Sequence, residues 1–176
     1  MASAVVVYES VFGDAEKVAR AIAEGLSEHL EVEVLAARDA PLEFGPDLRL
    51  LVVGGPNQGW NMPKPATRED AAKQYGGHIE DTHAGLHEWL DEARFIGPIA
   101  GAAFDVRMDH PKFVVAMDRA SRTEEKLLEA LGVALAAPAE HFRVAGAQGP
   151  LADGEEERAG RWGQELAEKV TAGARP

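Results

Sequence analysis

The chain has 176 residues, with 18 Lys and Arg against 30 Asp and Glu, so its formal charge at pH 7 is −12. This excess of negative charge argues against nonspecific binding to nucleic acid or to anionic membranes, because both would repel the chain. The absence of cysteine excludes disulfides, zinc-thiolate sites and thiol nucleophiles. Length and a hydrophobic content of 45% predict one globular domain over residues 1–173, with 174–176 as a frayed tail.

The first eight residues lack the basic segment of a secretory signal and are apolar only over the length of a strand. Charges interrupt every apolar stretch before it is long enough to span a membrane. We therefore expect a soluble, cytoplasmic protein.

The first part of the chain alternates strand and helix patterns. A β-branched apolar run is typical of a buried strand, three- and four-residue spacing indicates a helix, and strict alternation indicates an edge strand. The predicted elements are a strand at 4–8, a helix at 15–30, an edge strand at 31–35 and a buried strand at 48–53. The last strand ends at Gly54-Gly55-Pro56, since glycine and proline interrupt regular structure.

The remaining part begins with a long polar loop over residues 57–82, broken by one short helix near 68–73. Further elements are predicted as a helix at 83–94, a strand at 99–105, a helix at 123–131, a strand at 133–142 and a helix at 154–170. Strands and helices that alternate in this way predict a parallel sheet with helices on both faces.

In such a sheet, ligands bind beyond the carboxyl ends of the strands. The first strand leads directly into a helix through residues 9–17. Gly13 would allow a sharp turn there, and the free N–H groups at the helix start would attract an anion. Ser10 would add a hydroxyl donor.

At this loop the sequence resembles the flavodoxin family, and the resemblance covers nearly the whole chain. Residues 10–19 look like the loop that holds the FMN phosphate, 54–63 like the loop beside the isoalloxazine ring, and 102–107 like the start of the third loop. The resemblance implies a three-layer α/β/α sandwich whose five parallel strands have the order 2-1-3-4-5. It also implies noncovalent FMN and electron transfer with a protein or small-molecule partner, and no catalytic acid or base.

The resemblance assigns three groups of cofactor-binding residues. The phosphate group is Ser10, Val11, Phe12, Gly13, Asp14 and Ala15. The ring group is Pro56, Asn57, Gln58 and Trp60. The group at the pyrimidine edge is Phe104, Asp105 and Arg107.

Two residues depart from the family pattern, which usually has Asn and then Thr or Ser after the loop glycine. Ala15 lacks a hydroxyl donor, a loss of about 1.5–3 kcal/mol if that charged hydrogen bond would be made. Asp14, at about 6 Å from a phosphate, would add roughly 3 kcal/mol of repulsion at an effective dielectric constant near 20. Alternatively, Asp14 accepts from the N–H groups at the helix start and takes the place of the phosphate.

Three functions therefore stay open. The first is an FMN-binding electron carrier, for which the acidic surface predicts a basic redox partner protein. The second is a module with weakened or lost FMN binding that acts through protein partners, with residues 57–82 as the interaction surface. The third is a small FMN-dependent quinone or nitro reductase, although no NAD(P)H site is recognisable.

Several single residues have two interpretations. Trp60 would stack on the flavin or fold over the end of the sheet, whereas the helical spacing of Trp89 and Trp162 predicts packing roles. Arg107 would contact the cofactor or pair with an aspartate, either Asp105 or Asp109. His83 and His87 are four residues apart without the HExxH pattern, so we predict solvent-facing histidines and no metal site.

Overall fold

The computed structural model describes residues 3–57, 63–75, 84–108 and 120–173. The strands are β1 (Ala4–Tyr8), β2 (Val32–Ala36), β3 (Glu43–Phe44), β4 (Leu50–Pro56), β5 (Arg94–Phe95), β6 (Ala100–Met108), β7 (Ala134–Leu135) and β8 (Glu140–Val144). The helices are α1 (Asp14–Leu26), α2 (Pro65–Tyr75), α3 (Leu86–Glu92), α4 (Ala120–Ala130) and α5 (Glu155–Ala172), with a short 3-10 helix at Ala37–Asp39.

The main sheet has six strands in the order β2-β1-β4-β6-β7, and β8 also pairs with β6. Every pairing is parallel, including Ala4 with both Val32 and Leu50. Because β7 and β8 follow each other along the same edge of β6, they act as one interrupted strand. The predicted order 2-1-3-4-5 and the α/β/α class are confirmed.

The interruption in the last strand differs from the continuous strand predicted at 133–142. Gly101 pairs with Leu135 and Phe104 pairs with Glu140, so the four residues 136–139 on this edge lie opposite only two residues of β6, 102 and 103. Pro138 lies in the inserted segment and lacks the N–H group that a continuous ladder would need. A second, two-stranded sheet formed by β3 and β5 was not predicted.

Two hydrophobic cores cover the faces of the main sheet. Helices α1 and α5 pack on one face, where Ile22 and Leu166 are fully buried with Val6 and Phe104 of the strands. The other core contains Leu86, Trp89 and Leu90 of α3 and Leu128 of α4. The packing roles predicted for Trp89 and Trp162 are confirmed, since their exposed fractions are 4% and 7%.

Helix α1 ends four residues before the predicted end at Leu30. The Ser27 hydroxyl donates to the carbonyl of Glu24 at 2.7 Å, and this local bond competes with continuation of the helix. Leu30 is nevertheless buried, which explains its place in the hydrophobic pattern. In the part of the chain that the structure describes, no helix is long and apolar enough to cross a membrane.

Candidate functional site

A cavity of about 450 Å³ lies at the carboxyl ends of β1, β4 and β6. This volume is in the range of small-molecule pockets. Its walls come from the loops after β1 and β4, from the last residues of β6, from α2, and from the end of β8 with the segment after it. The lining residues are Ser10, Val11, Phe12, Asp14, Ala15, Pro56, Asn57, Thr67, Asp70, Ala71, Gln74, Val106, Arg107, Met108, Val144 and Ala147.

The first loop turns tightly into α1. Gly13 has φ +94°, a conformation that glycine adopts without strain, and its N–H donates to Ser10 Oγ at 3.1 Å. The first helical hydrogen bond runs from Lys17 N–H to the Gly13 carbonyl at 3.1 Å. The N–H groups at the start of α1, from Asp14 to Glu16, therefore precede the helical ladder and have no acceptor within it.

Asp14 is the first residue of α1 and lies at the cavity wall with an exposed fraction of 8%. Its carboxylate packs against Gly149, where an added methyl group would lie 2.2 Å from Asp14 Oδ2. Gly13, the residue before the helix, has no side chain that could cap the helix start. Among the hydrogen bonds and ion pairs of the described residues, none involves the Asp14 carboxylate. The expected hydrogen bonds from the helix start to Asp14 are therefore not formed.

The second loop contributes Pro56 and Asn57 to the cavity. The Asn57 N–H donates to the carbonyl of Val106 at 2.9 Å, which joins the second loop to the end of β6. Gln58 and Trp60 lie outside the described residues, so their predicted contacts with the ring stay predictions.

Near the carboxyl end of β6, where the third loop was expected to begin, Arg107 pairs with Asp105. Arg107 Nε donates to Asp105 Oδ1 at 2.7 Å, and Nη2 contacts the other oxygen. His141 Nδ1 lies 3.1 Å from Asp105 Oδ2 and 2.7 Å from Arg107 Nη2. Asp105 is fully buried, while Arg107 lines the cavity. The two interpretations of Arg107 are thus compatible, because the residue that pairs with Asp105 also lines the cavity.

Phe104 does not lie at the cavity, which corrects its assignment to the pyrimidine edge. Its side chain is fully buried and contacts Phe142 with the ring centroids 6.1 Å apart. A methyl group at Gly54 would lie 2.3 Å from the Phe104 ring. Successive strand residues face opposite sides, so Phe104 joins the core under α1 whereas Asp105 and Arg107 share the other face. Val106 and Met108 line the cavity instead.

A buried ion network lies beside the cavity and was not predicted. Arg68 Nε and Nη2 donate to Glu9 Oε1 and Oε2 at 2.6 and 2.9 Å, and Nη2 also donates to Glu88 Oε2 at 2.8 Å. The Leu86 N–H donates to Glu9 Oε2 at 2.8 Å. Burial raises the pKa of Glu88, but the hydrogen bond from Arg68, a backbone hydrogen bond and the nearby positive charge together outweigh burial and hold the pKa below its usual value.

This network places α2 over the cavity. Arg68 is 2% exposed and Glu9 immediately follows β1, so the pair fixes the polar helix to the strand end. Helix α2 consequently presents Thr67, Asp70 and Gln74 to the cavity. The sequence indicated a helix here, but no local pattern indicated which of its residues would face a ligand.

Glu124 of α4 is another buried acid, and no sequence pattern distinguished it from the exposed glutamates. Its exposed fraction is 2%, and Oε2 has no hydrogen-bond partner. Burial raises the pKa of Glu124 well above its usual value, and the nearby charge of Asp105 raises it further. The side chain is therefore neutral in the folded protein over a wider pH range than an exposed glutamate.

The predicted histidine pair is described only in part. His87 Nδ1 lies 3.3 Å from Asp91 Oδ2 on α3 and is partly exposed, whereas His83 lies outside the described residues. Across 3–57, 63–75, 84–108 and 120–173, no group of three or more metal-binding side chains was found.

The residues present fit a flavin ring. Val11, Phe12, Pro56, Val106 and Met108 supply apolar walls, as a planar ring system requires, and Asn57 and Arg107 supply polar groups. The end of the cavity at α1 combines the N–H groups of the helix start with the carboxylate of Asp14. A phosphate there would meet attraction from the former and repulsion from the latter.

A parallel sheet of this order, with helices on both faces and a cavity at the carboxyl ends of its strands, defines a doubly wound α/β protein. Within that class the chain is flavodoxin-like in fold. It superposes on an archaeal flavodoxin with a TM-score of 0.62 and 18% identity, covering 96% of this chain and 98% of that one.

Two further structures agree with this assignment. A flavodoxin from Streptococcus pneumoniae gives a TM-score of 0.60 at 14% identity, with 97% and 99% of the two chains covered. A flavodoxin, WrbA-like protein from Agrobacterium tumefaciens gives 0.58 at 17% identity, with 98% and 99% covered. No protein-family model and no curated protein sequence matches the chain. The resemblance seen in the sequence is thus confirmed at the level of fold.

Proposed function

We propose that this protein is an FMN-binding electron-transfer module. The observation that carries the proposal is the cavity at the carboxyl ends of β1, β4 and β6, which the loops after β1 and β4 and the last residues of β6 line together. Flavin mononucleotide, when bound, supplies the redox chemistry by accepting and releasing electrons one or two at a time. The protein itself needs no acid or base for this function.

The chain's own residues would bind and orient the cofactor. Ser10 to Ala15 would hold the ribityl phosphate end, and Asn57 with Gln58 and Trp60 would contact the ring. Arg107 would lie at the pyrimidine edge, held there by the fully buried Asp105. Arg107 lines the cavity, and its guanidinium is fixed by the pairing with Asp105. A positive charge held in this way would stabilise negative charge on a bound flavin.

The partner we propose is a basic redox protein. With 30 acidic against 18 basic residues, the chain would attract a positively charged surface, and association should slow as ionic strength rises.

Titration with FMN tests the proposal. We expect quenching of flavin fluorescence and a rise in melting temperature, because a ligand that binds only the folded state stabilises it. Ala71→Phe provides a control, since position 71 lines the cavity and the larger side chain would fill it. If millimolar FMN changes neither signal for the wild-type protein, the electron-carrier proposal is wrong.

A second candidate function is a module that has lost FMN and acts through protein partners. The observation that favours it is the carboxylate of Asp14 at the cavity wall, close to the expected phosphate position. The two candidates differ in the same titration, because only the first requires flavin binding. Within the proposed interaction surface at 57–82, residues 58–62 and 76–82 lie outside the described residues.

A further inference from the structure

We infer that the cavity is adapted to a flavin whose ribityl chain ends in a hydroxyl group, so that riboflavin binds at least as tightly as FMN. This inference rests on the proposed function, because it requires the flavin ring to occupy the cavity. It concerns the chemistry of the end of the ribityl chain, which would reach the start of α1, where Asp14 lies.

The charged residues that line the cavity are unfavourable for a phosphate. Asp14 is 92% buried at the wall, and Asp70 on α2 is a second lining carboxylate. Among the described lining residues the only cation is Arg107, and its guanidinium is already paired with Asp105. Lys17 lies one turn further along α1, but it is exposed and does not line the cavity.

The hydrogen-bonding capacity of Asp14 suits a hydroxyl. A carboxylate offers only acceptors, and among the described residues no donor binds this one. A terminal ribityl hydroxyl can donate to it and form a charge-assisted hydrogen bond, whereas a phosphate monoester brings further acceptors and up to two negative charges.

The structure also holds the carboxylate in place. Gly149 has φ +86° and presents its Cα to Asp14, leaving no room for a side chain between them. The N–H groups at the start of α1 still favour an anion, but the adjacent carboxylate opposes them at short range. The usual advantage of the phosphate is therefore cancelled, which is why we expect riboflavin to bind at least as well.

Dissociation constants for riboflavin and FMN, measured by fluorescence quenching at low ionic strength, test this inference. For the wild-type protein, Kd for FMN should equal or exceed Kd for riboflavin. Asp14→Asn, with Asp14→Ala as a second variant, should shift the ratio towards FMN by tenfold or more. Asparagine keeps the shape of the side chain and removes the charge.

Glu16→Gln is the matched control. It removes one negative charge from the same helical turn, but Glu16 does not line the cavity and pairs with Arg20 at 2.7 Å. We expect this variant to change the ratio less than threefold.

Three results would overturn the inference. One is an FMN affinity more than tenfold above that of riboflavin in the wild-type protein, which leaves the proposed function intact. Another is an equal shift in the Asp14 and Glu16 variants, which would assign the effect to general helix electrostatics. If neither flavin quenches in any variant at millimolar concentration, the proposed function itself fails, and the inference with it.

Discussion

The carboxylate of Asp14 rests on the Cα of Gly149, with so little space that a methyl group at position 149 would lie 2.2 Å from Asp14 Oδ2. Gly149 also has φ +86°, which an L side chain rarely adopts. This contact joins the start of α1 to the segment after β8, whose Ala147 lines the cavity. The charge at the cavity end is therefore positioned by two segments that are distant in sequence.

Gly149→Ala should destabilise the protein through both backbone strain and collision with Asp14. The backbone conformation alone costs about 1–2 kcal/mol for a non-glycine residue, and the collision adds to it. Urea unfolding measures the change. Gly132→Ala is the matched control, since Gly132 has φ +79° and open space around it. Equal losses in the two variants would show that Asp14 can move aside freely.

Arg68→Met should be strongly destabilising, because it leaves the Glu9 carboxylate buried without its cation. Removing one partner of a buried pair costs about 3–5 kcal/mol, and Arg68 and Glu9 are 2% and 10% exposed. Arg20→Met, which breaks the exposed pair with Glu16, should cost under about 0.5 kcal/mol. The double variant Glu9→Gln/Arg68→Met should lose less than the sum of its single changes. Strict additivity in urea unfolding would contradict the coupling.

Glu124→Gln should stabilise the protein at high pH and have little effect at low pH. The pKa of Glu124 is raised in the folded state by burial, so its contribution to stability is complete below the ordinary glutamate pKa. That contribution is lost as pH rises towards the raised pKa, because the unfolded chain ionises first.

Melting temperatures from pH 4 to pH 9 measure this effect. We expect the melting temperature of the variant to rise by about 2–4 °C for each kcal/mol gained in the free energy of unfolding. Glu129→Gln, at an exposed position of the same helix, should show no such trend. A pH-independent difference for Glu124→Gln would contradict the neutral state of the buried acid.

Glu155→Gln should have the opposite pH dependence. Burial raises the pKa of Glu155, but hydrogen bonds from Arg158 and from the Arg143 backbone outweigh burial and lower the pKa in the folded state. The stabilisation is thus present at neutral pH and is lost as pH falls through the lowered pKa.

At pH 7 we expect a loss of about 1.5–3 kcal/mol, typical of hydrogen bonds to a charged group, and a smaller loss near pH 3. Chemical unfolding at the two pH values measures it. Glu156→Gln, at the exposed neighbouring position, is the control. An equal loss at both pH values would mean that the charge of Glu155 does not contribute.

Asp14→Asn combined with Ala15→Thr should tighten FMN binding by at least tenfold. The first change removes repulsion at the cavity end, and the second adds a hydroxyl donor at the start of α1. Comparison with Asp14→Asn alone separates the two contributions. It also shows whether threonine fits at position 15, where Ala15 is 3% exposed. Unchanged FMN affinity in the double variant would mean that the phosphate does not lie near Asp14.

Periodicity predicted those elements that carry a strong local pattern. The apolar run at Ala4–Tyr8 became β1 with the predicted bounds, and the spacing around Trp162 became the buried face of α5. Predictions were less accurate where tertiary contacts decide the continuity of a strand or the direction of a side chain. The last strand is split around Pro138, and Phe104 lies in the core because its position in β6 directs it away from Arg107.

The sequence by itself determined the alternation of strands and helices, the parallel sheet with helices on both faces that follows from it, and the presence of an acid directly after Gly13. The resemblance of its loop motifs implied the flavodoxin-like fold. Hydrophobic periodicity and loop glycines are local properties, so they can be read without coordinates. Only the tertiary structure decided which groups meet at the strand ends. Arg68 reaches Glu9 across 59 residues of sequence, and Gly149 holds the Asp14 carboxylate at the cavity wall. Such contacts depend on how the helices pack on the sheet, and no local pattern encodes them.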